Sequence, residues 1–315
     1  MIRRPPRSTQ GVSSAASDVY KRQGSFPGLP FPNPEEPGTM DEAYRVADET
    51  AIELVVANDP DADRLAIAIK TGDGWRRLSG DEVGLLLCDY QLSHSAGDDR
   101  LTASSIVSSQ AVAALCASQG VEHVRTLTGF KWIMEPAVTR PEAQWIFGYE
   151  EALGYSVNDR VLDKDGIAAC VAFMAMVADL ATKGLNPLAR LDELAFDIGL
   201  YVTSQVSAHF ETHEISSSLE ALRRTPPRDL DGSPVVETKD WLNEPFPHNT
   251  NLLEFRSEHG SRLAIRPSGT EPKVKIYLEQ FVASPEDDLA LVRERCSEQL
   301  GALGLIALSW FKKDV

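Results

Sequence analysis

The chain has 315 residues, enough for two domains and part of a third. Its 43% hydrophobic and 25% charged content is that of an ordinary globular protein, not of a disordered, collagenous or coiled-coil chain. A formal net charge of −16 excludes nucleic acid as a partner, because a polyanion needs a basic surface, and no run of about 18 uncharged apolar residues offers a membrane span.

So acidic a chain can hold an anionic substrate only by gathering its cations locally, in loops. Cys88, Cys116, Cys170 and Cys296 are scattered, form no CxxC pair and have no His at zinc-finger spacing. They read as reduced thiols of a cytoplasmic protein.

Residues 1–23 (MIRRPPRSTQGVSSAASDVYKRQ) show no helical or strand periodicity and carry Arg3, Arg4, Arg7, Lys21 and Arg22 against Asp18 alone. The segment resembles a translated sequencing-adapter read. A secretory signal is the rival, and it lacks the apolar core that must follow the basic residues. It is set aside from the fold, and the expectation follows that the natural protein begins upstream.

The Pro-rich stretch 24–38 is extended. A helix is expected over 40–50, acidic at its start, then buried strands over 52–58 and 64–69 and a short final strand at WRRLS. From Gly80 onward the pattern alternates. A helix at GDEVGLLLCDYQL leads to a strand over 104–109, a helix stopped by Gly120, a strand at VEHVRTL and a loop-to-helix passage at TGFKWIMEPAV. A strand at QWIFGYE and a long helix closed by Gly184 complete the unit. After Gly199 come a strand (LYVTSQVSAHF), a helix (ISSSLEALRRT), a strand pair (RLAIRP, KVKIYLEQF) and a final helix over 287–300. This is an α/β chain: mixed-sheet three-layer α/β/α domains followed by a smaller α+β C-terminal domain. The expected divisions are 24–79, the tail of one α/β domain; 80–198, a complete one; and 199–315.

Asp59-Pro60-Asp61-Ala62-Asp63-Arg64 places three carboxylates at alternate positions after a buried strand. In an extended loop, alternate side chains point the same way, and carboxylates so clustered repel unless a cation joins them. Oxygen-only ligands suit a hard ion, Mg2+ above all. An EF-hand is excluded because no Gly follows Asp63 and the twelfth position is Lys70. An aspartyl-nucleophile phosphatase with Asp59 as nucleophile, or a solvated acidic turn, remains a rival. A second loop, Arg266-Pro267-Ser268-Gly269-Thr270-Glu271-Pro272-Lys273, offers a guanidinium fork, two hydroxyls and a glycine-relaxed backbone to an anion; the bland alternative is a turn. Paired carboxylates at Glu150 and Glu151 can read sugar hydroxyls, and the alternative there is a charged turn.

Together ANDPDADRLA, the RPSGTEPK turn and the EEALG loop resemble the α-D-phosphohexomutase superfamily of phosphoglucomutases and phosphomannomutases over roughly 24–315. The EEALGY form followed by VLDKDG is most similar to its phosphopentomutase-like branch, with the phosphoglucomutase-2 relatives. The resemblance implies Mg2+ held by Asp59, Asp61 and Asp63. It implies Arg266, Ser268, Gly269 and Thr270 around the non-reacting phosphate, and Glu150 on the sugar hydroxyls. Gly129 falls in the substrate loop, with Lys131 and Arg64 as catalytic residues; Lys131, whose bland reading is a surface lysine, would be the general acid/base. Ala152 stands where many members have Ser, which leaves the sugar open between hexose and pentose phosphates.

The superfamily transfers phosphoryl between the 1- and 6- (or 5-) positions through a bisphosphate, starting from a phosphoserine in a Thr-Ala-Ser-His-Asn-Pro-like motif. No such motif occurs here. The expectation is a sugar phosphate ligand but no turnover by this polypeptide alone, with a non-catalytic phosphosugar-binding fragment as the second reading.

Overall fold

The computed structural model describes residues 32–269, 271–285 and 288–311. The segment 1–23, the start of the Pro-rich stretch and Thr270 lie outside the described residues. Helix α1 (Asp41–Glu49) leads into β1 (Leu54–Ala57), β2 (Ala66–Thr71) and β3 (Gly74–Arg77), an antiparallel three-stranded sheet. Next come α2 (Gly80–Ser93), β4 (Arg100–Ser105), α3 (Ala111–Ser118), β5 (Glu122–Thr126), α4 (Phe130–Thr139), β6 (Gln144–Glu150), β7 (Gly154–Ser156), α5 (Gly166–Thr182) and α6 (Pro187–Ile198). Their sheet has the order β5-β4-β6-β7, with β4 parallel to β5 and β6 and β7 antiparallel to β6.

Helices cover both faces of this sheet. Phe130, Ile133 and Met134 of α4 pack with Leu101, Ala103 and Trp145. On the other face, residues of α2, α3 and α5 form one cluster with Phe147 and Tyr149. Leu65, Ile67 and Ile69 belong to that same cluster, so the three-stranded sheet shares its core with the unit that follows it.

The last unit contains β8 (Leu200–His209), α7 (Thr212–Arg224), β9 (Asp229–Leu230), β10 (Ser233–Asp240), β11 (Leu253–Ser257), β12 (Ser261–Pro267), β13 (Lys273–Val282) and α8 (Leu289–Ser309). Its antiparallel sheet runs β8-β13-β12-β11-β10-β9. α7 and α8 cover one face through Leu219, Leu300, Leu303 and Phe311. The result is an α+β unit behind α/β/α layers. Among the described residues no single helix is long and apolar enough to cross a membrane.

The short strands β7, β9 and β11 were not expected from the sequence, and four further elements differ from the expectation, each for a physical reason. The strand expected over 104–109 lies at Arg100–Ser105, and Ile106 and Val107 form a turn buried against Trp241, Leu252 and Ala264 of the last unit. Their β-branched character serves that contact instead of a ladder. β10 exposes much of its length and carries no clean alternation. α6 opens on an Asn186 cap followed by Pro187, a start signal that the composition change beyond it obscured. α8 runs past Gly301 to Ser309 because Gly304 is a packing glycine: a Cβ there would stand 3.1 Å from Val206 and Leu278.

The last two units meet around Glu254, only 3% exposed. It accepts from Arg262 at 2.9 Å, Arg256 at 2.8 Å, Arg125 at 3.3 Å and the Trp241 indole at 3.1 Å. Burial alone would raise Glu254, but Arg262, Arg125 and Arg256 outweigh it and hold the carboxyl at about 2. Removing one partner of a buried pair leaves the other charges uncompensated, so Glu254→Gln is expected to cost about 3–5 kcal/mol in urea unfolding. The folded value lies below the unfolded one of about 4.5, so this contribution is present above pH 4.5 and lost as pH falls toward 2. In the variant that stretch of the stability–pH curve flattens.

Candidate active site

The aspartate loop is clamped between two strand ends, β1 closing at Ala57 and β2 opening at Ala66. One ligand oxygen from each of Asp59, Asp61 and Asp63 lies within 4.8 Å of the others. An extended loop is not what brings them together. Ala62 sits in the left-handed region (φ 61), its N–H donates to the Asp59 carbonyl at 3.0 Å, and Asp59 Oδ1 accepts the Arg64 N–H at 3.1 Å. The convergence is therefore the work of a turn.

Asp59 is pushed up first by burial and then by the Asp63 and Asp61 charges, against the Arg64 N–H. Asp63 Oδ1 is buried without a hydrogen-bond partner. Three hard oxygen donors with one lone pair unspent fit a cation such as Mg2+.

The start of α5 closes the loop from behind. Gly166 donates to the Ala62 carbonyl at 3.1 Å, and a Cβ on Gly166 would stand 2.3 Å from Arg64 O and 2.6 Å from Asn58 Nδ2. No L side chain fits without moving the aspartates. Gly166→Ala is expected to weaken Mn2+ binding at this loop by about tenfold or more, at about 1.4 kcal/mol per factor of ten, with Mn2+ paramagnetic resonance as the measurement.

Beside the aspartates, Lys164 Nζ lies 3.1 Å from Asp63 Oδ2 and 4.0 Å from Glu150 Oε1. Burial would lower Lys164, but Asp63 and Glu150 prevail and raise it. Glu150 is pushed up to about 7, by burial first and by Glu151 next, against Lys164 and Arg64. Glu151 points elsewhere: its Oε2 accepts from the Ser105 and Ser108 hydroxyls at 2.9 and 3.2 Å. Of the pair, only Glu150 faces the lysine and the aspartates. Gly154 makes room for both, since its Cβ would stand 2.8 Å from the Lys164 stem and 2.9 Å from Glu150 Oε1.

As with Glu150, burial pushes the Asp81 carboxyl up to about 7, opposed chiefly by the Ser109 N–H. Both groups bind protons more tightly folded than unfolded. Their stabilising contribution is full below about pH 4 and disappears as pH rises through 7. Glu150→Gln is expected to remove the Glu150 part of this slope from pH-dependent melting, leaving that of Asp81.

The remaining loops meet at Arg266. Its NH1 donates to Thr128 Oγ1 at 3.2 Å, while Nε and NH2 donate to the Tyr277 hydroxyl at 3.3 and 3.2 Å. Burial raises Tyr277, and the charge of Glu151 adds to it against that of Arg266, with a further push from Glu150. Lys275 is depressed by burial and then by the Arg266 charge. Ser268 N–H donates to the Lys273 carbonyl at 2.8 Å. Gly269 is not left-handed, and a Cβ on it would meet nothing within 4 Å.

Gly129 (φ 107) caps α4. Lys131 in the first turn of α4 is exposed, its ammonium 5.0 Å from the Trp132 ring centroid. Arg64 bridges Asp59 Oδ2 at 3.6 Å and Glu35 at 3.1 Å.

Sequence reasoning missed Lys164, Tyr277 and Lys275 beside these loops. Only Lys164 carried a signal, as a lone cation between acidic residues at a helix start.

Three domains of the phosphoglucomutase/phosphomannomutase family match the chain: alpha/beta/alpha domain II over 14–72, alpha/beta/alpha domain III over 79–194 and the C-terminal domain over 221–296. The first match begins inside the segment 1–23. A protein of Haemophilus influenzae named "Probable phosphomannomutase" is 40% identical over 274 residues, 86% of this chain and 55% of that protein. The phosphopentomutase of Homo sapiens is 32% identical over 310 residues, 88% and 50%. Among solved structures, the open form of pp63/parafusin, a Paramecium phosphoglucomutase, superposes with a TM-score of 0.63 at 19% identity, over 82% of this chain and 45% of that one. The chain spans about half the length of the curated relatives it matches. It belongs to the phosphoglucomutase/phosphomannomutase family, within the α-D-phosphohexomutase superfamily and including its phosphopentomutase-like branch.

Proposed function

We propose that this chain supplies the metal, sugar and phosphate-holding parts of a cytoplasmic, Mg2+-dependent phosphosugar mutase. The reaction moves a phosphoryl group between the 1- and 6- (or 5-) positions of a hexose or pentose phosphate through a bisphosphate. The observation that carries this reading is the chain of contacts Asp63–Lys164–Glu150, which sets the aspartate turn beside the sugar loop. The field of Glu150 and Glu151 at Tyr277, the partner of Arg266, supports a shared cleft.

In this reading Asp59, Asp61 and Asp63 hold the metal, which when bound neutralises charge on the phosphoryl oxygens in flight. Arg266 takes the non-reacting phosphate in a fork, with Ser268, the open backbone at Gly269, and Thr270 around it. Glu150 orients the ring by accepting from its hydroxyls, and Gly129 lets the facing loop approach. Arg64, whose guanidinium lies beside Asp59, acts through its charge. Lys131, at the exposed rim, moves the proton of the attacking hydroxyl, while Lys164 holds Glu150 and Asp63 in register.

Calorimetric titration tests the reading. Ribose 5-phosphate or glucose 6-phosphate is expected to bind in the presence of Mg2+, and Arg266→Ala or Glu150→Gln to weaken binding by about tenfold or more, the loss of one charge-assisted contact. Binding indifferent to both substitutions overturns it. Release of inorganic phosphate that Asp59→Asn abolishes would favour the aspartyl phosphatase instead.

A further inference from the structure

Residues two apart along a strand point the same way, so Arg262, Ala264 and Arg266 share one face of β12 while Leu263 and Ile265 face the helix-covered core. The first face meets the α/β/α unit. Ala264 packs on Ile106 and Val107, Arg266 reaches Thr128, and Arg262, 4% exposed, donates to the carbonyl oxygens of Ser108 at 3.2 Å and of Ile106. Glu254 fixes the same guanidinium at 2.9 Å.

The far side of that turn holds the sugar loop. The Ser105 and Ser108 hydroxyls donate to Glu151 Oε2, and Ser108 Oγ accepts the Glu151 N–H at 3.1 Å. Glu151 directly follows Glu150. A continuous set of hydrogen bonds, Arg262–Ser108–Glu151, therefore joins the strand bearing the phosphate arginine to the loop bearing the sugar carboxylate. Arg262 and Arg266 lie four residues apart on one strand, about 13 Å of stiff extended backbone.

We propose that Arg262 is a positioning residue: by gripping the turn that anchors Glu151, it fixes the separation between Arg266 and Glu150, and with it the length of ligand that touches both. The proposal rests on the phosphosugar reading above. A sugar phosphate must span the two ends, whereas inorganic phosphate needs only the Arg266 end. Loosening the grip then acts on the spanning ligand alone, because a small misplacement of one group is felt only where two groups act together.

The test compares the unsubstituted chain with Arg262→Met, Arg262→Lys and Ser108→Ala. Each is titrated with inorganic phosphate and with whichever of ribose 5-phosphate and glucose 6-phosphate binds the unsubstituted chain more tightly. The Met and Ala variants are expected to lose about ten- to a hundredfold in sugar phosphate affinity while inorganic phosphate stays within about twofold, and Arg262→Lys to recover part of the loss. Equal losses for both ligands, the result of a general structural role, overturn the proposal, and so does no loss for either. Should Arg262→Met fail to fold, Ser108→Ala combined with Ser105→Ala decides, since together they remove both hydroxyls that hold Glu151 to the turn. If the unsubstituted chain binds neither sugar phosphate, the phosphosugar reading itself falls; if it binds and the variants do not discriminate, the positioning role alone falls.

Discussion

A carboxylate removed from water needs a cation at its side, and this chain meets that requirement in two different ways. Around Glu254 the protein completes the answer itself: three arginines and an indole surround one carboxylate, and what results is a joint between two units. At the aspartate turn the answer stops short. Lys164 reaches Asp63 and Arg64 reaches Asp59, yet three carboxylates remain crowded together and one Asp63 oxygen has no hydrogen bond. The saturated cluster joins two units, whereas the unsaturated one could hold a hard cation.

The aspartate turn and the Glu150–Glu151 loop are both held by backbone that side chains cannot enter. Gly166 lets α5 begin directly against the Ala62 and Arg64 carbonyls. Gly80 does the same where α2 begins, since a Cβ there would lie 1.9 Å from the Glu151 carbonyl oxygen. Two helix starts thus pin the metal turn and the sugar loop from the same layer, the layer whose core also contains Leu65 and Ile67. That shared core explains why the small antiparallel sheet can present a functional turn without a hydrophobic centre of its own.

Much of this was readable from the residues, and where reading failed the reason is tertiary. Asp59, Asp61 and Asp63 advertise themselves by charge between two apolar runs, but the left-handed Ala62 that gathers them has no local signature, because alanine seldom adopts that conformation. Glu150 and Glu151 are equivalent as a dipeptide. Only Ser105 and Ser108, 46 and 43 residues upstream, separate the one that faces the cleft from the one that anchors the loop. Ile106 and Val107 look like strand because they are apolar and β-branched, and they are apolar for a different partner, Ala264 and Trp241. Periodicity reports that a residue is buried; it does not report what buries it.

The net charge of −16 posed the problem of how such a chain holds an anionic ester. The Arg266 turn and the aspartate turn are biased in opposite senses. Beside Arg266, Lys275 is depressed first by burial and then by the neighbouring charges of Arg266 and Lys273. At the metal turn, Asp59 is raised partly by Asp63 and Asp61, the same crowding with the sign reversed. At each turn a group of the opposite charge would relieve the repulsion between like charges. In the proposed function, a sugar phosphate arriving with its metal would lower both repulsions at once, while the distant acidic surface is screened beyond about 8–10 Å at ordinary ionic strength.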